Sequence, residues 1–300
     1  MKKALSLVLA LSLLLALALP AAAEEGAEAR PANDLHAKVR QTRRERYRMN
    51  IVAAFKVVPD DQDIQVSADG SLDYSKAKNT VSAYDLNAIE AAAQLAAANE
   101  GSNVVAVTVG GADIDDSKLK KGILARGVDE LVMIADDACA DLDAHATAAM
   151  LARLVDGLDA ADLIVCGDGS ADNYAQQVDV QLAARLGLPS VNGATKIEAG
   201  SGSVTVERTL EDVVEVVEAP LPCVVSVAPD IALPRIPGMK DILAAGKKPS
   251  SVNAASDVEA AVVDVVETKA PQQAERKMEM LDASVDGDLE KFAAALKAAL

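Results

Sequence analysis

Short apolar runs alternate along this chain with segments of helical periodicity, and this alternation constrains the fold more than any other feature. The runs at 51–57, 104–109, 130–135 and 163–166 are predicted strands. The run at 104–109 is continuous up to Gly110, which is typical of a strand buried on both faces of a sheet. Strands that alternate with helices predict an α/β fold, in which a parallel-core sheet carries helices on both faces.

Helices are predicted in the intervening segments, where apolar residues recur three and four positions apart. Ser82 or Asp85 is expected to cap the first of them. The expected bounds are 85–98, 117–126, 142–155 and 175–186, with a terminal helix at 286–300.

The pattern changes after Pro189. Alternation at 203–208 and at 213–218, across a charged turn, predicts a hairpin. Residues 224–227 are a further buried strand, and the loosely patterned residues 250–285 are predicted to form an extended arm.

The first 48 residues differ in charge from the rest of the chain. They carry nine Lys/Arg and five Asp/Glu, although the whole chain has a net charge of -17. Two lysines precede an apolar run at 4–19 and small residues at 21–23, which is the pattern of a secretory signal peptide. The other interpretation is an upstream extension before a native start at Met49, because residues 30–48 are basic and have no hydrophobic period. The predicted domains are therefore 1–48, 49–249 and 250–300.

Composition argues against two classes of partner. Six residues are aromatic and the net charge is -17. A nucleic-acid binder needs aromatic faces and a basic surface, and phosphate backbones and anionic lipid both repel a strongly negative chain. We therefore expect no nucleic-acid partner and no stable membrane insertion.

Cysteine and histidine are too few for most catalytic or metal-binding arrangements. Cys139, Cys166 and Cys223 are widely spaced and include no C-x-x-C pair, which argues against a disulfide framework or a zinc site. We expect buried, inert thiols. The two histidines are His36 and His145, and His145 is expected at the surface of a helix. We expect no metal site and no catalytic residue.

We expect a ligand site in the loop after the strand at 163–166. Ligands of open α/β sheets bind beyond the carboxyl ends of the strands. Gly167, Gly169 and Ser170 are expected to leave backbone N–H groups free beside the next helix, an arrangement that suits phosphate. The loop is neither G-x-G-x-x-G nor a Walker A motif, so an ordinary strand-to-helix turn is an equally good interpretation.

Several segments, in order, resemble the electron-transfer flavoprotein beta subunit, and within that family its FixA-like branch. The strongest likeness is at 166–178, CGDGSADNYAQQV, and the likeness begins at 49–60, MNIVAAFKVVPD. It continues to about Pro271. The other similar segments are DGSLD at 69–73, SAYDLNAIE at 82–90, VTVGG at 107–111, PSVNG at 189–193, VER at 206–208, LP at 221–222 and IPGMK at 236–240.

The resemblance implies a Rossmann-like fold of the adenine-nucleotide alpha hydrolase type and an electron carrier rather than an enzyme. Such a chain is the beta subunit of a heterodimer that passes electrons from dehydrogenases or reductases to a flavin or quinone acceptor. FAD is shared with the alpha subunit, and the beta subunit itself binds AMP or, in electron-bifurcating members, a second FAD. The implied nucleotide positions are Ala54, Ser82, Ala83, Tyr84, Asp85, Val109, Gly167, Asp168, Gly169, Ser170, Ala171, Asp172, Asn173, Tyr174, Ala175, Gln176, Gln177 and Val178.

The resemblance also implies two protein contacts. Pro234–Lys248 matches the region through which the family docks dehydrogenases, although a helix packed on the core is the alternative interpretation. Residues 250–300 would be an arm and helix that pack on the alpha subunit. Thr209 stands where the family has an acidic residue near the flavin, so the resemblance does not extend to that contact. The candidate docking anchors are Ile236, Met239, Ile242 and Leu243.

Two functions remain open from the sequence. The first is the flavoprotein subunit, and the second is a nucleotide-binding regulatory module of the same fold without electron transfer. A hydrolase or transferase is less well supported, because the sequence offers no evident nucleophile–base pair. A flavin carrier works beside cytoplasmic dehydrogenases, so we expect a cytoplasmic protein, with export as the alternative if the signal-like residues 1–23 are genuine.

Overall fold

The computed structural model describes residues 48–271 and 278–299. The signal-like segment and His36 lie outside the described residues. Thirteen strands are present in the described part: β1 Asn50–Ala54, β2 Val57–Pro59, β3 Gln65–Val66, β4 Leu72–Asp73, β5 Asn79–Val81, β6 Asn103–Gly110, β7 Glu130–Ala135, β8 Leu163–Gly167, β9 Ser190–Ala199, β10 Ser203–Thr209, β11 Val214–Pro220, β12 Cys223–Val227 and β13 Ser250–Asn253.

Six α-helices connect or follow these strands in the described part, and three short 3-10 turns accompany them. The turns are Asp61–Asp63, Ala112–Ile114 and Asp137–Cys139. Among the helices of the described ranges, none is long and apolar enough to cross a membrane. The helices are α1 Ala83–Ala98, α2 Ser117–Leu124, α3 Ala144–Asp156, α4 Val178–Leu186, α5 Met239–Ala245 and α6 Asp288–Ala299.

One nine-stranded sheet organises the fold, in the order β11-β10-β9-β12-β8-β1-β6-β7-β13. The strands from β9 to β13 in that order are all parallel to their neighbours. The β10–β11 hairpin extends the sheet in antiparallel pairing at one edge. The predicted α/β fold with a parallel-core sheet is confirmed, and the hairpin lies where the alternation predicted it.

Helices cover both faces of the sheet because each central strand buries side chains in both directions. Ile51 and Ala53 of β1 belong to a core with apolar residues of α1 and α2, whereas Val52 and Ala54 belong to a second core with α3 and α4. Burying one Val, Leu or Ile side chain stabilises a fold by about 1.5–3 kcal/mol. The continuous apolar runs therefore supply the two cores at once.

Two strands of the sheet were not predicted from the sequence. In β9, Gly193 has a φ of 66° and interrupts the apolar alternation. All four residues of β13 are exposed, so this strand has no apolar signature, and it begins the segment that was predicted as an extended arm. β13 pairs with β7 in parallel register from Ser250 to Asn253.

Candidate functional site

A cleft opens at the carboxyl ends of β1, β6 and β8, where the topology places the loops that follow them. Twelve of the eighteen predicted nucleotide positions line it. These are Ala54, Asp85, Val109, Gly167, Asp168, Gly169, Ser170, Asn173, Ala175, Gln176, Gln177 and Val178.

The remaining six predicted positions lie beside the cleft rather than in its wall. The Ser82 hydroxyl accepts a hydrogen bond from the Ala171 N–H at 3.2 Å. The Tyr84 and Tyr174 rings are paired, with their centroids 5.0 Å apart. The Asp172 carboxylate pairs with the Lys56 ammonium at 2.5 Å. Together with Ala83, these residues lie around the loop after β8, whose other residues line the cleft.

Part of the cleft wall was missed from the sequence. Its main source is the start of α3, which follows β7 and therefore reaches the same sheet edge as the glycine loop. That topological argument, applied to every strand–helix connection, would have found it. The additional lining residues are Phe55, Lys56, Leu142, Asp143, Ala144, Thr147, Leu151, Cys166 and Asp179.

Asp85 links the first strand to the glycine loop. Its carboxylate accepts hydrogen bonds from the Lys56 N–H at 2.8 Å and from the Gly167 N–H at 3.1 Å. Burial raises the pKa of Asp85 to about 7, although both backbone N–H groups oppose the shift. Neither predicted cap is confirmed in that role: Ser82 occupies the cap position without a capping hydrogen bond, and Asp85 bonds to other segments. The start of α1 therefore links two segments that line the cleft, the one after β1 and the end of β8.

The loop after β8 is packed too closely for larger residues at its glycines. A Cβ at Gly167 would lie 2.7 Å from the Asp85 carboxylate oxygen, and one at Gly169 would lie 2.3 Å from the Tyr174 ring. The Tyr174 hydroxyl donates to the Asp168 carboxylate at 3.0 Å. The two glycines thus let the loop close on itself beside the cleft.

The loop also contains two side-chain-bearing residues in the left-handed region. Tyr174 has a φ of 44° and Gln176 a φ of 54°. Such conformations are unfavourable for residues other than glycine and concentrate at ligand-binding sites. They also explain why the predicted helix start at 175 is wrong: α4 begins at Val178, because the left-handed turns prevent an earlier start.

The expected phosphate donors are only partly free. The Gly167 N–H is taken by Asp85, contrary to the prediction. Within residues 48–271 and 278–299, no acceptor is found for the N–H groups of Gly169 and Ser170. Two backbone donors beside the start of α4 are therefore available to an anionic ligand.

Acidic side chains surround these donors. Burial raises the pKa of Asp168, although the Tyr174 hydroxyl opposes the shift, and one Asp168 oxygen is buried without a partner in the described part. Burial also acts to raise the pKa of Asp172, but hydrogen bonds from Lys56 and Ser170 outweigh it and leave the pKa below its ordinary value. The unpartnered Asp168 oxygen suits a ligand donor such as a sugar hydroxyl or an amino group.

The cysteines and His145 are placed as the sequence predicted. Cys139, Cys166 and Cys223 are buried and unpaired, and burial raises the pKa of each thiol, in Cys166 well above its ordinary value. His145 lies at the surface, 3.4 Å from the Glu259 carboxylate. No group of three potential metal ligands occurs among the described residues.

The four candidate docking residues are all exposed. Ile236 is 93% exposed, Met239 75%, Leu243 70% and Ile242 38%. Ile242 and Leu243 lie on the short helix α5, whose buried residue is Ala245. An apolar side chain this exposed loses the stabilisation that burial would give.

An adenine nucleotide fits this cleft chemically. Ala54 and Val109 offer small apolar surface at two strand ends, Gly169 and Ser170 offer N–H donors, and Asp168 offers an acceptor. The side-chain amides of Gln176 and Gln177 add further donors. The cleft therefore has the apolar surface, anion donors and sugar acceptor that a nucleotide requires.

Comparison with known families agrees with this geometry. The family model of the electron transfer flavoprotein domain matches residues 70–258, well over half of the chain. The match covers the glycine loop and the four exposed docking candidates. Proteins of this family are flavin-binding electron carriers. The sequence, the parallel sheet and the cleft therefore lead to one conclusion: this chain belongs to the electron transfer flavoprotein family.

Proposed function

We propose that this chain is the beta subunit of a heterodimeric electron transfer flavoprotein of the FixA-like branch. The observation that carries the proposal is the 167–178 loop, which presents free N–H groups and an unpartnered carboxylate oxygen in a cleft at the strand ends. In this proposal the cleft holds an adenine nucleotide, either AMP or a second FAD.

Each part of the cleft has a role in holding that nucleotide. Ala54 and Val109 contact the adenine, because both are small and apolar at the sheet edge. Gly169 and Ser170 donate their N–H groups to phosphate, assisted by the α4 terminus. The flavin shared with the alpha subunit supplies the redox chemistry, while this chain orients the cofactor and shields it from water.

The alpha subunit covers α6 and the preceding arm in this proposal. Leu289, Phe292 and Leu296 recur on one face of α6 and are 60%, 55% and 49% exposed. An isolated helix of about 12 residues is only marginally stable in water. A second chain packed on this face would supply the missing burial.

Dehydrogenases or reductases that contain flavin dock on residues 229–248, which we name the docking segment and which include the predicted region Pro234–Lys248. Its basic residues outnumber its acidic ones by four to two, although the whole chain has a net charge of -17, and its exposed apolar side chains include Leu233, Ile236 and Met239. The side chains of Lys240 and Lys247 make no ion pair within the described ranges. A partner with an acidic rim around an apolar pocket would match this surface.

Co-expression with an alpha subunit tests the proposed function. Because the alpha subunit supplies most flavin contacts, the isolated chain is expected to be colourless and the heterodimer yellow. The flavin of the heterodimer is expected to be reduced by a flavin dehydrogenase in the presence of its substrate. A colourless complex that binds nucleotide alone would favour a regulatory module instead. We also propose a cytoplasmic location, because the dehydrogenases that would donate electrons work there, and cell fractionation checks it.

A further inference from the structure

We propose that Glu90, a residue of α1 outside the nucleotide cleft, is a positioning residue for the docking segment. Through Glu90, partner proteins meet an apolar surface that is already formed. This inference rests on the docking role proposed above, but the contacts that carry it are independent of that role. They join α1 to a stretch that contains neither helix nor strand, residues 229–238.

Glu90 accepts hydrogen bonds from Arg235 through both of its carboxylate oxygens. One oxygen accepts from the Arg235 Nε at 2.6 Å and from the Arg235 backbone N–H at 3.1 Å, and the other accepts from Nη2 at 3.0 Å. The Glu90 side chain is only 6% exposed. Two-pronged arginine–carboxylate pairs fix geometry as well as supplying energy.

A second residue of α1, one helical turn before Glu90, also binds this segment. The Asn87 amide donates to the Pro229 carbonyl at 2.8 Å and to the Ala232 carbonyl at 2.7 Å. Asn87 and Glu90 are three positions apart and therefore face the same way. This one face of α1 thus holds the docking segment from Pro229 to Arg235.

The turn after α2 holds Arg235 from the other side. We call the three residues that hold this segment, Asn87, Glu90 and Arg126, the clamp. The Arg126 guanidinium donates to the Arg235 carbonyl. Gly127, with a φ of 89°, leaves room for Arg235, because a Cβ there would lie 2.9 Å from its Nη1. Arg235 is thereby held through its side chain, its N–H and its carbonyl.

The clamp explains why the neighbouring apolar residues point into solvent. Leu233 and Ile236 flank Arg235 and are 90% and 93% exposed. An unrestrained loop would be free to fold such side chains against the surface, and it would lose conformational entropy on binding a partner. With Arg235 fixed, that entropy is lost during folding, and the partner binds a rigid surface.

Hydrogen exchange of the heterodimer tests the clamp directly. In Glu90→Gln, one amide N–H₂ faces the Arg235 donors, so exchange of the Arg235 backbone amide, which is bonded to Glu90, is expected to rise at least tenfold, while β6 stays protected. Arg235→Lys keeps the charge but loses the two-pronged contact, and it is expected to show a smaller rise. Asp159→Asn removes a negative charge from an exposed loop and is the matched control, with no expected change.

The kinetics of flavin reduction then distinguish a role of Glu90 in positioning the docking segment from a general role in folding. With a flavin dehydrogenase as donor, Glu90→Gln is expected to raise the KM at least fivefold and leave kcat within twofold. Reduction by dithionite, which needs no docking surface, is expected to be unchanged. Unchanged exchange of the Arg235 amide, or a raised exchange without a raised KM, would overturn the inference. Failure of the wild-type dimer to accept electrons from the dehydrogenase would instead overturn the proposed function. In that case the hydrogen-exchange result would still show whether Glu90 holds Arg235 in place.

Discussion

At the scale of single residues, the carboxylates of α1 act on distant segments rather than on their own helix. Asp85 is bonded to the backbone after β1 and at the end of β8, and Glu90 is bonded to Arg235. Their sequence context predicts a helix start and a solvated helix face. Nothing local indicates the partners, because these lie 29 to 145 positions away. Only the folded topology brings them together.

The buried carboxylate of Asp85 predicts a defined pH dependence. Its pKa is raised to about 7, above the ordinary value near 3.8. A raised folded-state pKa contributes stability that is fully present below the unfolded pKa and is lost as the pH rises through 7. The free energy of unfolding of wild type, minus that of Asp85→Asn, is therefore expected to fall between pH 4 and pH 7, with a slope on the order of 1 kcal/mol per pH unit.

Urea unfolding at several pH values measures this difference. Asp159→Asn again provides the control, since that side chain is exposed in a loop. A difference between wild type and Asp85→Asn that stays flat from pH 4 to pH 8 would show that the Asp85 carboxylate is not desolvated as the structure has it.

At the scale of elements, the exposed apolar face of α6 is where we propose that the alpha subunit packs. In Phe292→Asp a charge replaces an apolar side chain on the exposed face. Losing the burial of a Phe costs about 1.5–3 kcal/mol, which corresponds to roughly 10- to 100-fold in affinity. We expect that loss in the affinity for the alpha subunit, measured by sedimentation or calorimetry.

A variant on the opposite side of the same helix controls for helix stability. Ala294 lies about 140° around α6 from Leu289 at the helical spacing of 100° per residue. Ala294→Asp is therefore expected to leave the affinity nearly unchanged. Equal losses in Ala294→Asp and Phe292→Asp would mean that α6 does not present a specific face to the alpha subunit.

The elements also show how far the sequence predicts this fold. Buried strands such as β6 and β7 can be predicted from the sequence, because a parallel sheet with both faces covered requires continuous apolar runs. β13 is exposed along its length and is held by backbone pairing with β7, so its side chains carry no signal. The cleft was predicted mainly at the glycine loop. Its α3 wall, including Asp143 and Thr147, depends on which helix follows which strand end.

At the scale of the whole molecule, the described residues form a nine-stranded sheet with helices that carries three separate surfaces. The cleft lies at the carboxyl ends of the strands, the docking segment is fastened to α1, and α6 exposes an apolar face. Because α1 bears both Asp85 and Glu90, one helix fixes the glycine loop and the docking segment together. This arrangement suits a carrier that must keep its cofactor while it meets different partners.

The nucleotide content of the purified heterodimer tests the central claim most directly. After denaturation, chromatography is expected to show one adenine nucleotide, AMP or FAD, beyond the single FAD shared by the subunits. Gly169→Val is expected to lose that nucleotide and keep the fold, because its side chain would displace Tyr174, whose ring lies 2.3 Å from a Cβ at this position. Gly122→Val adds the same side chain in open space and is expected to keep the nucleotide. A wild-type dimer without the additional nucleotide, or a Gly169→Val dimer with its full content, would contradict the assignment of the cleft.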